Sequence, residues 1–239
     1  MSAAIRFWVV TLAALLGLGT TAALGRWQLH RAAEKEALQA RIDERGQLPV
    51  LDALSLQGTP DADALLYRRA EAVGEWVPER TVFLDNRPMD GRAGFYVVTP
   101  LRLQGSATVL LVQRGWVPRD FEDRTRVPRI DTPAGLVRVA GHIVPPPSKL
   151  YELGAAESGP IRQNLDLAQF RTETGLALAA VSLQQSGAMA DGLARDWPKI
   201  STGVERHYGY AFQWFGLSAL IAALYVWFQI VRRFKRRAG

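Results

Sequence analysis

Arg206-His207-Tyr208-Gly209-Tyr210-Ala211-Phe212-Gln213-Trp214-Phe215-Gly216-Leu217 opens an apolar run that reaches Val231 and is followed by Arg232, Arg233, Lys235, Arg236 and Arg237. From Tyr208 to Val231 about 24 residues carry no charge, and at ~1.5 Å rise per residue they exceed the ~30 Å hydrocarbon core of a bilayer. The stretch reads as a membrane entry, a transmembrane helix over 208–231 and a basic tail over 232–239. The rest of the chain must be arranged around that crossing.

Its mate is at the other terminus. Phe7 to Leu24 is an uncharged run of about 18 residues, which predicts a first transmembrane helix over 7–25 behind a short N-terminus, 1–6. A cleaved signal peptide is the rival reading, since Arg6 precedes an apolar core and Ala23-Leu24-Gly25 resembles a weak cleavage site. Against cleavage, helical character continues through Arg26-Trp27-Gln28-Leu29-His30-Arg31 and an Ala/Glu/Lys-rich stretch to about Arg45. Ala13, Gly17, Thr21 and Gly25 recur every fourth position, a small-residue face fit to pack on the second span or to admit a flat ligand.

The net charge of +6 does not signal nucleic acid: five of the 29 basic residues lie in Arg232–Arg237, leaving 24 against 23 acidic ones. Basic residues beside a span hold that end in the cytoplasm. Two crossings then put both termini in the cytoplasm and the domain between them, 26–207, outside, in the periplasm for a bacterial inner membrane. The chain has no cysteine, which removes thiol redox chemistry and thiolate metal sites. Its three histidines, His30, His142 and His207, have no metal-site spacing.

The expected fold class is membrane α+β, two transmembrane helices flanking a mostly antiparallel β domain with a few helices. A helical start over 26–45 leads through a connection at Gln47–Asp63 into a β-rich part over 66–185. Strands are predicted at Tyr67–Trp76, interrupted at Gly74, and at Arg80–Arg87, Phe95–Leu103, Thr108–Val117, Gly135–Val144 and Leu178–Gln184. Pro88-Met89-Asp90-Gly91 is a turn, and the short connections predict an antiparallel meander folded into a sheet or barrel. Pro118 to Pro133 reads as a solvated excursion. Gln163–Arg171 reads as one helix capped by Asn164, and Trp197 as an interfacial anchor.

Phosphate loops, nucleophile elbows and metalloprotease motifs are missing, so no enzyme is expected. Asp85-Asn86-Arg87 and Arg114-Gly115-Trp116 are the densest polar spots within strands; an arginine there can clamp an acidic group or close a structural ion pair, and the ion pair is favoured. Asp120, Glu122 and Asp123 have no partner base and read as a solvated face, and His142 as an ordinary strand histidine. His207, at the edge of a span beside Tyr208, Tyr210 and Trp214, has two readings. It belongs to an interfacial aromatic belt, or it is an axial ligand to haem iron. On a helix, His207, Tyr210, Ala211, Trp214 and Ser218 share one face, while Gly209, Gln213 and Gly216 form another whose amide needs a partner. From the residues alone the belt is favoured.

Five blocks in order, Leu24-Gly25-Arg26-Trp27-Gln28-Leu29-His30-Arg31 with Lys35, Val82–Arg87, Gly94–Leu101, Val112–Pro118 and His207–Leu217, resemble the signature blocks of the surfeit-locus protein one family of cytochrome oxidase assembly factors. The resemblance implies a non-enzymatic assembly factor for a haem–copper terminal oxidase, with haem a as cofactor and His207 as the ligand to its iron. It implies as partners the catalytic subunit of the oxidase, the haem a synthesis machinery and the lipid bilayer, with no nucleic acid. Trp27, Gln28, Arg31, Arg87, Arg114 and Trp116 match as scaffold or partner surface. The alternative is a structural membrane chaperone for an oxidase subunit that binds no haem.

Overall fold

The computed structural model describes residues 2–52, 54–57, 61–123, 125–147, 150, 159–188, 191–198 and 203–232. The chain divides into two compact units, Met1–Ala40 with Ile200–Gly239, and Arg41–Lys199. Of the basic tail only Arg232 falls within the described residues, so the expectation at Arg233–Arg237 lies outside them.

The first unit is built on two helices. Helix α1 (Ala3–Gln47) runs unbroken from the apolar segment into the charged one, and Pro49, which cannot continue a helix, follows its end. The second, called α4 in chain order (Val204–Tyr225), passes into a wider π-type turn over Val226–Val231. It begins four residues before the predicted span, so His207 lies in its first turn. Both helices are long and apolar enough to cross a bilayer, and their outward side chains, Trp8, Leu12, Leu15 and Phe212 among them, are exposed.

The second unit is a closed barrel. Strands β1 (Arg69–Trp76), β3 (Gly94–Leu103), β4 (Val109–Pro118), β5 (Leu136–Val144) and β7 (Leu178–Gln185) pair in the ring β1-β5-β7-β4-β3, which β3 closes onto β1. Strand β2 (Val82–Leu84) extends β3 on its first half, and a two-residue strand β6 (Ile161–Arg162) extends β2.

The sheet is mixed, which corrects the expected antiparallel meander. β7 runs parallel to β4, and β6 parallel to β2. The tight turn between β3 and β4 announces a hairpin, but the β4–β7 pair joins residues about 70 apart and leaves no local signal. Every barrel strand supplies the inner core: Ala72 of β1, Leu101 of β3, Val112 of β4, Val139 of β5 and Leu183 of β7 are buried there, with Leu51, Leu56 and Leu65 beside them. Leu51 and Leu56 come from the segment read as a connection, Gln47–Asp63, in which Leu51 bridges to Ala70, and Leu65 comes from the short helix α2 (Ala62–Leu65) that begins at its end. The other face of β3 and β4 is covered by α3 (Leu167–Thr174) through Phe170, and by a cluster of Phe83, Phe95 and Leu193. Burial on both faces explains why the first half of β4, Val109–Val112, reads as a continuous apolar run.

Several local expectations change. The α3 cap is Asp166, whose carboxylate accepts from the amides of Ala168 and Gln169, whereas Asn164 pairs with the backbone of Leu150. β2 stops at Leu84 because Asn86 takes a left-handed φ of 59°. Gly74 interrupts nothing. At the β1–β3 closure a Cβ on Gly74 would lie 2.1 Å from the Arg102 carbonyl oxygen, a contact only glycine avoids.

Gly74→Ala is therefore expected to cost about 2–4 kcal/mol, because backbone oxygen cannot rotate aside as a side chain can. Gly46→Ala, in a helix with nothing within 4 Å of the added carbon, is expected to be neutral or stabilising by up to ~1 kcal/mol. Denaturant unfolding of the full chain followed by tryptophan fluorescence reads both; equal midpoints would show that the ring does not close at Gly74.

Candidate functional site

The site grows from the way α1 and α4 meet. Along α1 the buried and half-buried positions that form one stripe are Phe7, Thr11, Ala14, Leu18, Thr21, Gly25, Gln28, Ala32 and Lys35, spaced alternately by four and three, with Gly17, Ala22 and Leu24 half-buried beside it. Along α4 they are Val204, His207, Ala211, Trp214, Ser218, Ile221 and Tyr225, with the same alternation. Matching 3.5-residue stripes are the mark of two helices packed along one seam. Tyr210 is exposed and falls off the predicted face, and Ala13 falls off the predicted small-residue face.

The helices are antiparallel, as the cross-contacts show. Thr11 Oγ1 lies 3.0 Å from Tyr225 Oη, and Thr21 Oγ1 2.7 Å from Ser218 Oγ, which also donates to the Leu18 carbonyl at 3.1 Å. A Cβ on Gly17 would touch Ile221, and one on Gly25 would press on the Phe215 ring at 2.9 Å. Small residues bring the backbones close, and the hydroxyls then find partners across the seam. Farther along, Tyr208 Oη donates to Glu36 Oε1 at 3.0 Å.

His207 falls on this seam. Its Nδ1 lies 2.7 Å from Gln28 Oε1; an amide oxygen only accepts, so the ring donates through Nδ1–H, and a neutral imidazole held this way carries its lone pair on Nε2. Among the described residues Nε2 has no hydrogen-bond partner. The half-buried ring is thus oriented by one neutral contact, with its Nε2 edge turned from that contact. Among the described residues no group of three His, Cys, Asp or Glu could hold a metal ion. His30 is exposed on another face of α1, 3.3 Å from Glu34, and is not brought to His207. Arg31 also pairs with Glu34, at 2.8 Å, and Trp27 is exposed.

The polar strand residues have structural partners. Arg114, 2% exposed, donates to Thr132 Oγ1, the Asp131 carbonyl and Asp191, and stacks on Trp76 with 4.8 Å to the ring centroid. Burial lowers the affinity of its guanidinium for a proton, and Asp191 works against that shift. Arg195 shares Asp191 at 2.6 Å, so the acidic group clamped here is the protein's own. The same contacts dock Asp131 and Thr132 on the barrel, and Ile130 packs on the core, so the end of the predicted solvated excursion is attached. Arg87 donates to the Gln163 carbonyl, and its own carbonyl accepts from the Trp116 indole at 2.7 Å. Asp85 lies 3.6 Å from Arg119. Asp120 caps its loop through the amides of Asp123 and Glu122, which hold its carboxyl below the usual range, and it pairs with Arg126 at 2.6 Å. His142 is outward on β5, with partial desolvation and Arg69 keeping its imidazole below the usual range. Trp197, expected at a membrane interface, donates to the Gln185 carbonyl and packs edge-on against Tyr96.

Gln28 is the site residue that sequence reasoning left as scaffold. Its signal was faint: it lies three residues beyond Gly25, one helical turn along the face that Thr21 and Gly25 occupy.

A family model described as the SURF1 family matches residues 15–219. A SURF1-like protein of Rickettsia bellii is 27% identical over 209 residues, covering 84% of this chain and 83% of its own length. A SURF1-like protein of Drosophila melanogaster is 28% identical over 242 residues, with 92% and 77% covered. A Surfeit locus protein 1 of Arabidopsis thaliana is 30% identical over 116 residues, 44% of this chain and 33% of its own.

If the Gly25–Phe215 contact sets the helix separation, Gly25→Val is expected to weaken the pair by about 1–3 kcal/mol, the cost of overpacking. Phe215→Ala should relieve part of that cost, a coupling that a double-mutant cycle in detergent reads from resistance to added SDS. An identical loss in both backgrounds would remove this contact as the spacer.

Proposed function

Because the chain belongs to the SURF1 family, a family of oxidase assembly factors, we propose that it serves the assembly of a haem–copper terminal oxidase by holding haem a on His207 and passing it to the catalytic subunit. The observation that carries this reading is the imidazole oriented by Gln28 with Nε2 left without a partner among the described residues. When bound, haem supplies an iron that takes an imidazole nitrogen axially. The chain's own part is to present that nitrogen, to offer aromatic surface at Tyr208 and Trp214, and to keep the helix pair rigid through the Thr21–Ser218 contact. Its role in this reading is carriage, not catalysis.

The proposed setting is a bacterial inner membrane crossed by α1 and α4, with both termini cytoplasmic and the barrel periplasmic. The basic tail favours it, as clustered Arg and Lys beside a span stay inside. Haem a would come from its synthesis machinery. A second reading, a structural chaperone without haem, is favoured by the other face of α4. There Gly209, Gln213 and Gly216 are exposed, and an amide within an apolar span calls for a hydrogen-bonding partner.

The two readings separate in the visible spectrum of the detergent-purified full chain produced alongside haem a biosynthesis. Haem carriage predicts a strong Soret band that His207→Ala loses or shifts. Well-folded parent protein without a band, together with normal oxidase assembly in His207→Ala cells, would leave the structural chaperone.

A further inference from the structure

We propose that Gln28 is a positioning residue for His207: its amide oxygen holds the imidazole in the form protonated at Nδ1 and keeps the Nε2 lone pair available to iron. The inference rests on the haem-ligand reading of His207. A neutral imidazole can carry its proton on either nitrogen, and the hydrogen bond made by one nitrogen decides which. Here that bond is 2.7 Å long and crosses from one helix to the other.

Two features make the contact more than a chance surface pair. Gln28 lies on the α1 seam between Gly25 and Ala32, both buried, so packing fixes where its side chain starts. On the other side, Val204 and Ala211 are buried before and after His207, and the neighbouring Tyr208 is tied to Glu36. The rotation of α4 about its own axis at His207 is therefore set at several points, and the ring has little freedom to turn from Gln28.

The chemistry of the partner also fits. A carboxylate at this distance would favour the imidazolium, which has no lone pair to give. An amide accepts the same hydrogen bond without recruiting a second proton, and near an apolar segment it is less costly to desolvate than a charge. A partner on the far nitrogen both orients a ligating histidine and raises its basicity, and losing one commonly costs ~10–100-fold in metal affinity.

Two measurements on the full chain in detergent test this. First, nitrogen NMR of histidine-labelled, haem-free protein should show His207 protonated at Nδ1 and bare at Nε2, and Gln28→Leu should shift the proton toward Nε2. A parent protein with the proton already on Nε2 overturns the proposal. Second, haem titration should show Gln28→Leu binding about 10–100-fold more weakly, with a raised reduction potential because the ligand donates less. Gln28→Glu, which keeps an acceptor, should lower the potential instead. A purely structural role for Gln28 would loosen the helix pair without moving the potential in these opposite senses. A haem band lost in His207→Ala but equal in affinity and potential between parent and Gln28→Leu overturns this inference alone. A parent with no haem band removes the ligand reading and this inference with it.

Discussion

In the proposed membrane setting, two apolar helices gain no hydrophobic free energy by touching, so their pairing depends on close packing and on hydrogen bonds between them. In this chain that dependence is concentrated where Gly25 yields its side-chain volume to the Phe215 ring and Thr21 meets Ser218. The first contact sets the separation and the second sets the register. A slip of one residue on either helix would turn its face by about 100° and carry Gln28 away from His207. The geometry at the histidine is thus inherited from packing two and three turns farther along α4.

The barrel follows a different logic. Its strands are held by burial on both faces and by a ring that closes without a free edge at the β1–β3 junction. Cations buried in such a structure are costly unless paired, and three of its arginines show how they are held. Arg114 and Arg195 share Asp191, and Arg162 is bidentate on Glu173 with its guanidinium over the Phe170 ring. These arginines fasten loops and α3 to the sheet. The placement of Arg114 within a strand block that resembles the family signature is explained by what it holds in place, and no substrate need be invoked for it.

The sequence made the long helices readable because their signal is local: an uncharged run, then continued helix formers. Six of the seven strands were readable for the same reason, though β2 was drawn too long across Asn86. What was hidden was every relation between distant residues. The parallel β4–β7 pair, the closure at Gly74 and the burial of Leu51 and Leu56 depend on partners elsewhere in the chain, and composition does not name partners. The same limit applied to the site. His207 stood out by its position at the edge of an apolar run, while Gln28 did not, since its meaning appears only when a second helix is laid against the first.

A single histidine with a neutral partner has a consequence for the proposed carriage. A protein that keeps its haem commonly encloses it and supplies strong axial bonding, whereas a protein that passes haem on must let the axial bond exchange. Here one imidazole is presented near the edge of a span and His30 is turned away toward Glu34, so among the described residues no second histidine reinforces the hold. The amide of Gln28 stiffens the ligand without the added basicity that a carboxylate would give. On the proposed reading the site is tuned toward orientation more than toward strength. That is the balance transfer requires, because affinity beyond what secures pickup would only slow release to the next holder.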